Sequence, residues 1–214
     1  MKLLLSTHNR GKVREMKELL SATDIAVTAL DDLDSLYEIE ETGDTFEENA
    51  VLKAEGYGSK YGLVCLADDS GLEVDALGGR PGVYSSRYAD TDRERCRRLL
   101  EEMRDKEDRT ARFVCCACLY SPEPAVIAEL RGCPAAEGAV FYPDDPCIVT
   151  VRATLEGEIA REERGGGGFG FDPVMYLPSQ GRHLAELSAA EKNAISHRGK
   201  AVRKMIELIT YIKR

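Results

Sequence analysis

Apolar residues along this chain recur at two spacings. Leu3, Leu4 and Leu5 form a continuous run, so residues 2–6 read as a short buried strand; Val13, Met16, Leu19 and Leu20 then recur at helical spacing across residues 10–20. A second strand is expected at 25–30. An acidic stretch follows, and Thr45 and Glu48 have capping-box spacing for a helix running to about Tyr57. Residues 63–67 are all apolar and predict a buried strand ending at Asp68-Asp69-Ser70-Gly71. Thr91 and Glu94 form another box, starting a charged helix to about Arg104. Strands are expected around 111–120, 125–130 and 148–155. The chain closes with helix from 188 to 213, interrupted near His197 to Gly199. Helices and strands alternate early and strands cluster later, which is the pattern of an α/β protein with a mixed sheet flanked by helices. With no internal repeat and no linker-like segment, residues 1–214 read as a single domain long enough to bury a full core.

Charge narrows the partners. Lys and Arg number 29 against 38 Asp and Glu, a formal charge of −9, so the overall field repels nucleic acid polymers and anionic membranes. Any anionic ligand must be received locally. The N-terminal apolar run is too short for a signal-peptide core and no stretch reaches bilayer-spanning length. Seven cysteines, an odd number without a framework, suit a reducing, cytoplasmic setting. Cys115 and Cys118 form a CxxC, but within an apolar run lacking a second pair or clustered His, so structural cysteines are favoured over zinc.

Four polar clusters interrupt the apolar pattern. Thr7, His8, Asn9, Arg10, Gly11 and Lys12 join the first strand to the first helix, where free N–H groups and a lysine suit a phosphate; a capped turn with a solvated lysine is the alternative. It is no Walker A loop, because Val13 stands where Ser or Thr is required. Glu40, Glu41 and Asp44, with Glu47 and Glu48, are an acidic approach to a helix, which the helix dipole alone would explain. Asp68 and Asp69 at the end of a buried strand suit Mg²⁺ held by a few protein oxygens; an Asx-type turn ending at Gly71 is the alternative. Gly165 to Asp172 presents Phe169 and Phe171 beside a carboxylate, as a nucleobase would need, or as core packing would. Its GxGxxG spacing fails as a dinucleotide motif, since Pro173 and Pro178 stand where a helix should start. Lys192, His197 and Arg198 gather where the last helix breaks, a combination a helix interior seldom needs; a solvated basic face is the alternative.

Together, Thr7-His8-Asn9-Arg10-Gly11-Lys12, Glu40-Glu41-Thr42-Gly43, Thr45-Phe46-Glu47-Glu48-Asn49-Ala50, Ala67-Asp68-Asp69-Ser70-Gly71-Leu72, Phe169-Gly170-Phe171-Asp172-Pro173 and Glu191-Lys192-Asn193-Ala194-Ile195-Ser196-His197-Arg198-Gly199 resemble the inosine triphosphate pyrophosphatase family. Leu77-Gly78-Gly79-Arg80-Pro81-Gly82 and Ser86-Arg87-Tyr88 extend the likeness in order through nearly the whole chain. The resemblance implies a long mixed sheet with two lobes around a central substrate cleft, paired as a homodimer. It also implies hydrolysis of ITP, dITP and XTP to the monophosphate and pyrophosphate with Mg²⁺. Thr7, His8, Asn9, Arg10, Gly11 and Lys12 would hold the triphosphate, Glu40 and Asp69 the metal, with Asp69 also the proton acceptor. Ser70 would touch substrate. Phe169, Gly170, Phe171 and Asp172 would form the base pocket, with Lys192, His197 and Arg198 at the purine edge. His8 stands where the family often has a small residue and Phe171 where it has Tyr or Trp; residues 121–147 match least. A pyrophosphatase for modified pyrimidines and a non-catalytic nucleotide sensor are the competing readings.

Overall fold

The computed structural model describes residues 2–33 and 37–211. Strand β1 (Lys2–Leu5) is followed by helix α1 (Arg10–Leu20), strand β2 (Ala26–Ala29) and helix α2 (Phe46–Tyr61). Both sides of the Thr45–Glu48 capping box are made, and Gly62 closes α2 in the left-handed conformation at φ 61°, which glycine adopts without strain. Next come β3 (Val64–Val74), α3 (Asp92–Glu102), β4 (Thr110–Tyr120) and α4 (Pro124–Leu130). The chain ends with β5 (Ala139–Phe141), β6 (Ile148–Ile159), β7 (Met175–Leu177), β8 (Arg182–His183), α5 (Ala189–Ile195) and α6 (His197–Tyr211). The strands form one mixed sheet in the order β2-β1-β3-β4-β6-β7-β8, with β5 also paired to β6. β1 lies parallel to both β2 and β3, with Leu3 opposite Val27 and Val64, while β5–β6, β6–β7 and β7–β8 are antiparallel.

The expected α/β fold with a mixed sheet flanked by helices is therefore present. Two elements differ. Residues 125–130 form helix, not strand: Pro124 occupies the first helical turn, and Ile127 and Leu130 are buried three apart. β3 does not stop at Asp68 but runs on to Val74, so the two aspartates lie within a strand and no Asx turn forms. Their carboxylates find cations in the interior, which removes the solvation reason for ending the strand. The break between α5 and α6 falls at Ser196, just ahead of the expected place; the helix end expected at 213 lies outside the described residues.

The chain divides into two compact units. The first takes the chain to Asp69, then Cys115–Ala153, and resumes at Arg198; the second is Ser70–Val114 with Thr154–His197. Each has its own apolar core, built on Leu3, Leu5, Met16, Leu66, Leu119 and Met205 in the first and on Leu72, Leu99, Met103, Phe171 and Val174 in the second. Two of the boundaries, Asp69/Ser70 and His197/Arg198, fall inside motifs singled out for chemistry. All seven cysteines are free thiols. Among the described residues no helix is long and apolar enough to cross a membrane.

Candidate active site

In the first unit, β1 delivers the chain into the turn before α1. Asn9 caps that helix: its Oδ1 accepts from the N–H of Gly11 at 2.9 Å and of Lys12 at 3.2 Å, while its own N–H donates to Thr7 Oγ1 at 3.2 Å. Lys12, one turn in, points to β3, where its Nζ lies 3.1 Å from Asp68 Oδ2 and 3.4 Å from the Asp68 carbonyl. Arg10 is exposed, and His8 is also exposed, hydrogen-bonded through Nδ1 to Asp31 at 3.1 Å.

Asp68 is fully buried. The Oδ2 that meets Lys12 also accepts from Arg198 Nε at 3.1 Å, and Arg198 Nη1 reaches Glu15 Oε2 at 2.5 Å. Lys12, Asp68, Arg198 and Glu15 thus form one chain of alternating charge, half-buried at Lys12 and buried at the other three. Burial by itself would lower the Arg198 pKa, but Asp68 and Glu15 hold it above its ordinary value. Two nitrogens of this guanidinium, expected at the purine edge, are held by carboxylates of the first unit.

Asp69 faces a different cation. Lys53 Nζ is 3.1 Å from Asp69 Oδ1 and 3.0 Å from Glu41 Oε1, and Asn49 Nδ2 donates to Asp69 Oδ2 at 3.4 Å. Asn49 and Lys53, one turn apart on α2, are both buried. Asn49 also clamps the approach to the helix, accepting from the Gly43 N–H at 2.8 Å and donating to the Gly43 carbonyl at 3.2 Å. A Cβ at Gly43 would fall 2.6 Å from Glu48 Cβ and 2.9 Å from Asn49 Oδ1, so glycine is required for the approach that brings Glu41 to Lys53. Glu40 is exposed, and it is Glu41 that makes the ion pair. Burial raises the Asp69 pKa, opposed by Lys53 and Lys12 and reinforced by Glu41. Burial also works against the Lys53 charge, but Asp69, Glu41 and Asp68 outweigh it and its pKa is raised.

In the second unit, the glycine-rich loop is folded around one carboxylate. Asp172 Oδ2 accepts from the Phe169 N–H at 2.9 Å and from Lys192 Nζ at 2.6 Å, and both charged side chains are buried. Gly168 has φ 73°, and a Cβ there would lie 1.9 Å from Asp172 Oδ2. Lys192 Nζ also sits 4.5 Å from the centroid of the half-buried Phe169 ring. α3 anchors the loop from the side, since Asp92 Oδ2 accepts from the Gly170 N–H at 2.7 Å and Cys96 Sγ donates to the Gly170 carbonyl at 3.4 Å. Phe171 is 3% exposed and packs 5.9 Å from Tyr88, in the core and not on the loop surface. His197 is buried and stacks on Phe113, centroids 4.9 Å apart and planes 11° apart. Ser70, the first residue of this unit, is half-buried beside Asp69 in sequence.

The structure therefore gathers Lys12 and Arg198 around Asp68 in one unit, and Phe169, Asp172 and Lys192 in the other. Lys53 and Glu15 lie outside every motif singled out in the sequence, whereas Glu41 belongs to the expected acidic cluster and Asn49 to a quoted motif, neither with an individual role of its own. Asn49 and Lys53 had a signal: two polar residues at i, i+4 on the apolar face that also carries Phe46, Ala50 and Ala54.

A family model described as the Ham1 family matches residues 3–208. The chain belongs to the Ham1 family. A dITP/XTP pyrophosphatase of an Exiguobacterium species is 42% identical over 217 residues, covering 100% of both chains. Its counterpart in Geobacillus kaustophilus is 44% identical over 210 residues, 96% of this chain and 92% of that one. Among solved structures, a HAM1 protein from Coxiella burnetii is 40% identical with a TM-score of 0.81 over 98% of each chain, and the Staphylococcus aureus Ham1 protein is 32% identical with a TM-score of 0.79 over 100% of each. The resemblance found in the motifs thus extends to the whole fold.

Proposed function

We propose that this protein hydrolyses non-canonical purine nucleoside triphosphates, ITP, dITP and XTP, to the monophosphate and pyrophosphate, clearing them from the nucleotide pool. The observation that carries the reading is the pair of adjacent carboxylates on β3, Asp68 turned to Lys12 and Arg198, Asp69 turned to Lys53, in a chain whose Ham1 relatives are named dITP/XTP pyrophosphatases.

Division of labour follows from the two aspartates. Asp68, neutralised by two cations, holds Lys12 and Arg198 in place. Lys12 is the cation available to the triphosphate, with Thr7, Asn9 and Gly11 in the same turn; His8 and Arg10 lie at its exposed edge. Asp69 is the proton acceptor, orienting water toward the α-phosphorus; the burial that raises its pKa brings its proton affinity nearer that of a working general base. Lys53 keeps that carboxylate anionic while also holding Glu41. Two carboxylates converging on one small cation are a donor set suited to Mg²⁺, which takes few protein oxygens and leaves its other positions to water and phosphate. Glu41, which shares Lys53 with Asp69, is a candidate second ligand beside the exposed Glu40. When bound, the cation neutralises charge on the phosphates.

In the second unit, Phe169 offers its ring to the base, and the Asp172–Lys192 pair beside that ring offers an acceptor and a donor. Phe171 supports this loop from the core. His197, with Arg198 next to it, supplies donors for the oxygen at purine C6, where adenine presents an amino group; a buried donor left unpaired rejects adenine. Ser70 contacts the substrate beside Asp69. The protein acts in the cytoplasm, which its free thiols suit, and as a homodimer, testable by sedimentation.

Pyrophosphate release with added Mg²⁺, measured over ITP, dITP, XTP, GTP, ATP and modified pyrimidine triphosphates, tests the reading. Preference for the first three supports it. Equal cleavage of ATP, GTP and ITP, preference for pyrimidines, release of orthophosphate, or binding without turnover each overturns it.

A further inference from the structure

Arg97, Arg104, Arg109 and Arg161 line one hollow of about 340 Å³ on the second unit, together with Leu100, Glu101 and Glu163. Four guanidiniums against two carboxylates is a local reversal of sign in a chain of net charge −9. Arg109 is locked in place. Its Nε donates to the Ile159 carbonyl, Nη1 to the carbonyl of Met103 at 2.8 Å, and Nη2 to that of Ala160 at 2.7 Å. These acceptors are neutral, so its full charge remains. Burial and the neighbouring Arg161 both lower its pKa, which places two like charges within reach of each other. Arg104 is paired with Glu101. The side chains of Arg97 and Arg161 are exposed and make no hydrogen bond or ion pair among the described residues.

From this arrangement we infer an oxyanion site on the second unit that takes a condensed phosphate: pyrophosphate, tripolyphosphate or the phosphate tail of a nucleotide. Held guanidinium charge from Arg109 sets the field, and the unpartnered Arg97 and Arg161 supply planar donor forks that match phosphoryl oxygens two at a time. Anions with two or more linked phosphoryl groups engage both forks, whereas orthophosphate engages one. The hollow uses none of the residues assigned to the substrate. α3 nevertheless serves both: Asp92 and Cys96 hold Gly170 of the base loop, and Arg97 is the next residue.

Titration calorimetry with inorganic pyrophosphate, without added metal, tests the site. A Lys12→Ala chain, weakened at the candidate active site, should retain one equivalent of binding. Adding Arg97→Gln and Arg161→Gln should weaken that binding at least tenfold, and orthophosphate should bind at least tenfold more weakly than pyrophosphate. Both arginines are exposed, so unchanged circular dichroism and thermal midpoint are expected. The double Gln variant in an otherwise wild-type chain should still release pyrophosphate from ITP, which separates failure here from failure of the proposed function. Loss of all pyrophosphate binding in Lys12→Ala, unchanged binding after the double substitution, or equal affinity for orthophosphate overturns the site.

Discussion

The aspartates of the first unit and the aromatic loop of the second are stabilised in different ways. Around Asp68 and Asp69 nearly everything is ionic: Lys12, Arg198 and Glu15 on one side, Lys53 and Glu41 on the other, with Asn49 as the neutral member. Each charge was taken out of water at a cost that only its partner offsets, so the cluster fails as a set when one member is removed. Around Phe169 stand the Asp172–Lys192 ion pair, glycine backbone geometry, an N–H to a carboxylate, and ring packing. Rigid charge suits phosphate and a reacting water. A loop shaped by backbone and rings suits a flat, neutral base.

Substitutions that act on one region and spare the other sharpen this contrast. Asp69→Asn keeps the shape of the side chain and removes the proposed proton acceptor, so kcat should fall by about 10²- to 10⁴-fold, with a normal circular dichroism spectrum. A folded variant with full turnover would take Asp69 out of the mechanism. Arg198→Met removes the buried guanidinium that Asp68 and Glu15 share. Its cost should be roughly 3–5 kcal/mol of folding stability, read by urea denaturation; a loss below 1 kcal/mol would mean that the cluster relaxes by admitting water.

Effects in the second unit should be smaller and should appear in substrate binding. Gly168→Ala forces a Cβ against the Asp172 carboxylate at a positive φ, so the Asp172–Phe169 contact must give way. KM for ITP should rise about tenfold, more than kcat changes, a shift of roughly 1.4 kcal/mol. Phe113→Leu removes the ring stacked on His197, a contact worth about 0.5–1.5 kcal/mol. Discrimination between ITP and ATP should narrow by a comparable factor while ITP turnover holds; unchanged discrimination would make the stack purely structural. Smallest, Thr91→Ala opens the capping box of α3 at a cost of about 1 kcal/mol, visible in the thermal midpoint and absent from kcat.

Much of this molecule was legible along the chain because the signals are short-range. The capping boxes at Thr45 and Thr91, the apolar runs of β1 and β4 and the helical spacing of α1 each depend on residues a few positions apart, and all appear as expected. The failures share a cause. Residues 125–130 are a short apolar run that suits strand or helix equally until Pro124 and the burial of Ile127 and Leu130 decide it. Phe169 and Phe171 suit a nucleobase or core packing equally until burial separates them, Phe169 half-buried and Phe171 in the core.

The sequence by itself determined the alternation of elements, the family, and the motifs proposed for the chemistry, because these are written in composition and local order. Only the tertiary structure decided what those motifs do to one another. Asp68 meets Lys12 across 56 positions and Arg198 across 130, and Glu15 meets Arg198 across 183. No local pattern encodes such pairings. Folding closes them, since a carboxylate drawn into a sheet interior needs a cation there, and those that can reach it come from helices far along the chain. The same requirement carried β3 past the expected turn and made Glu41 rather than Glu40 the partner of Lys53.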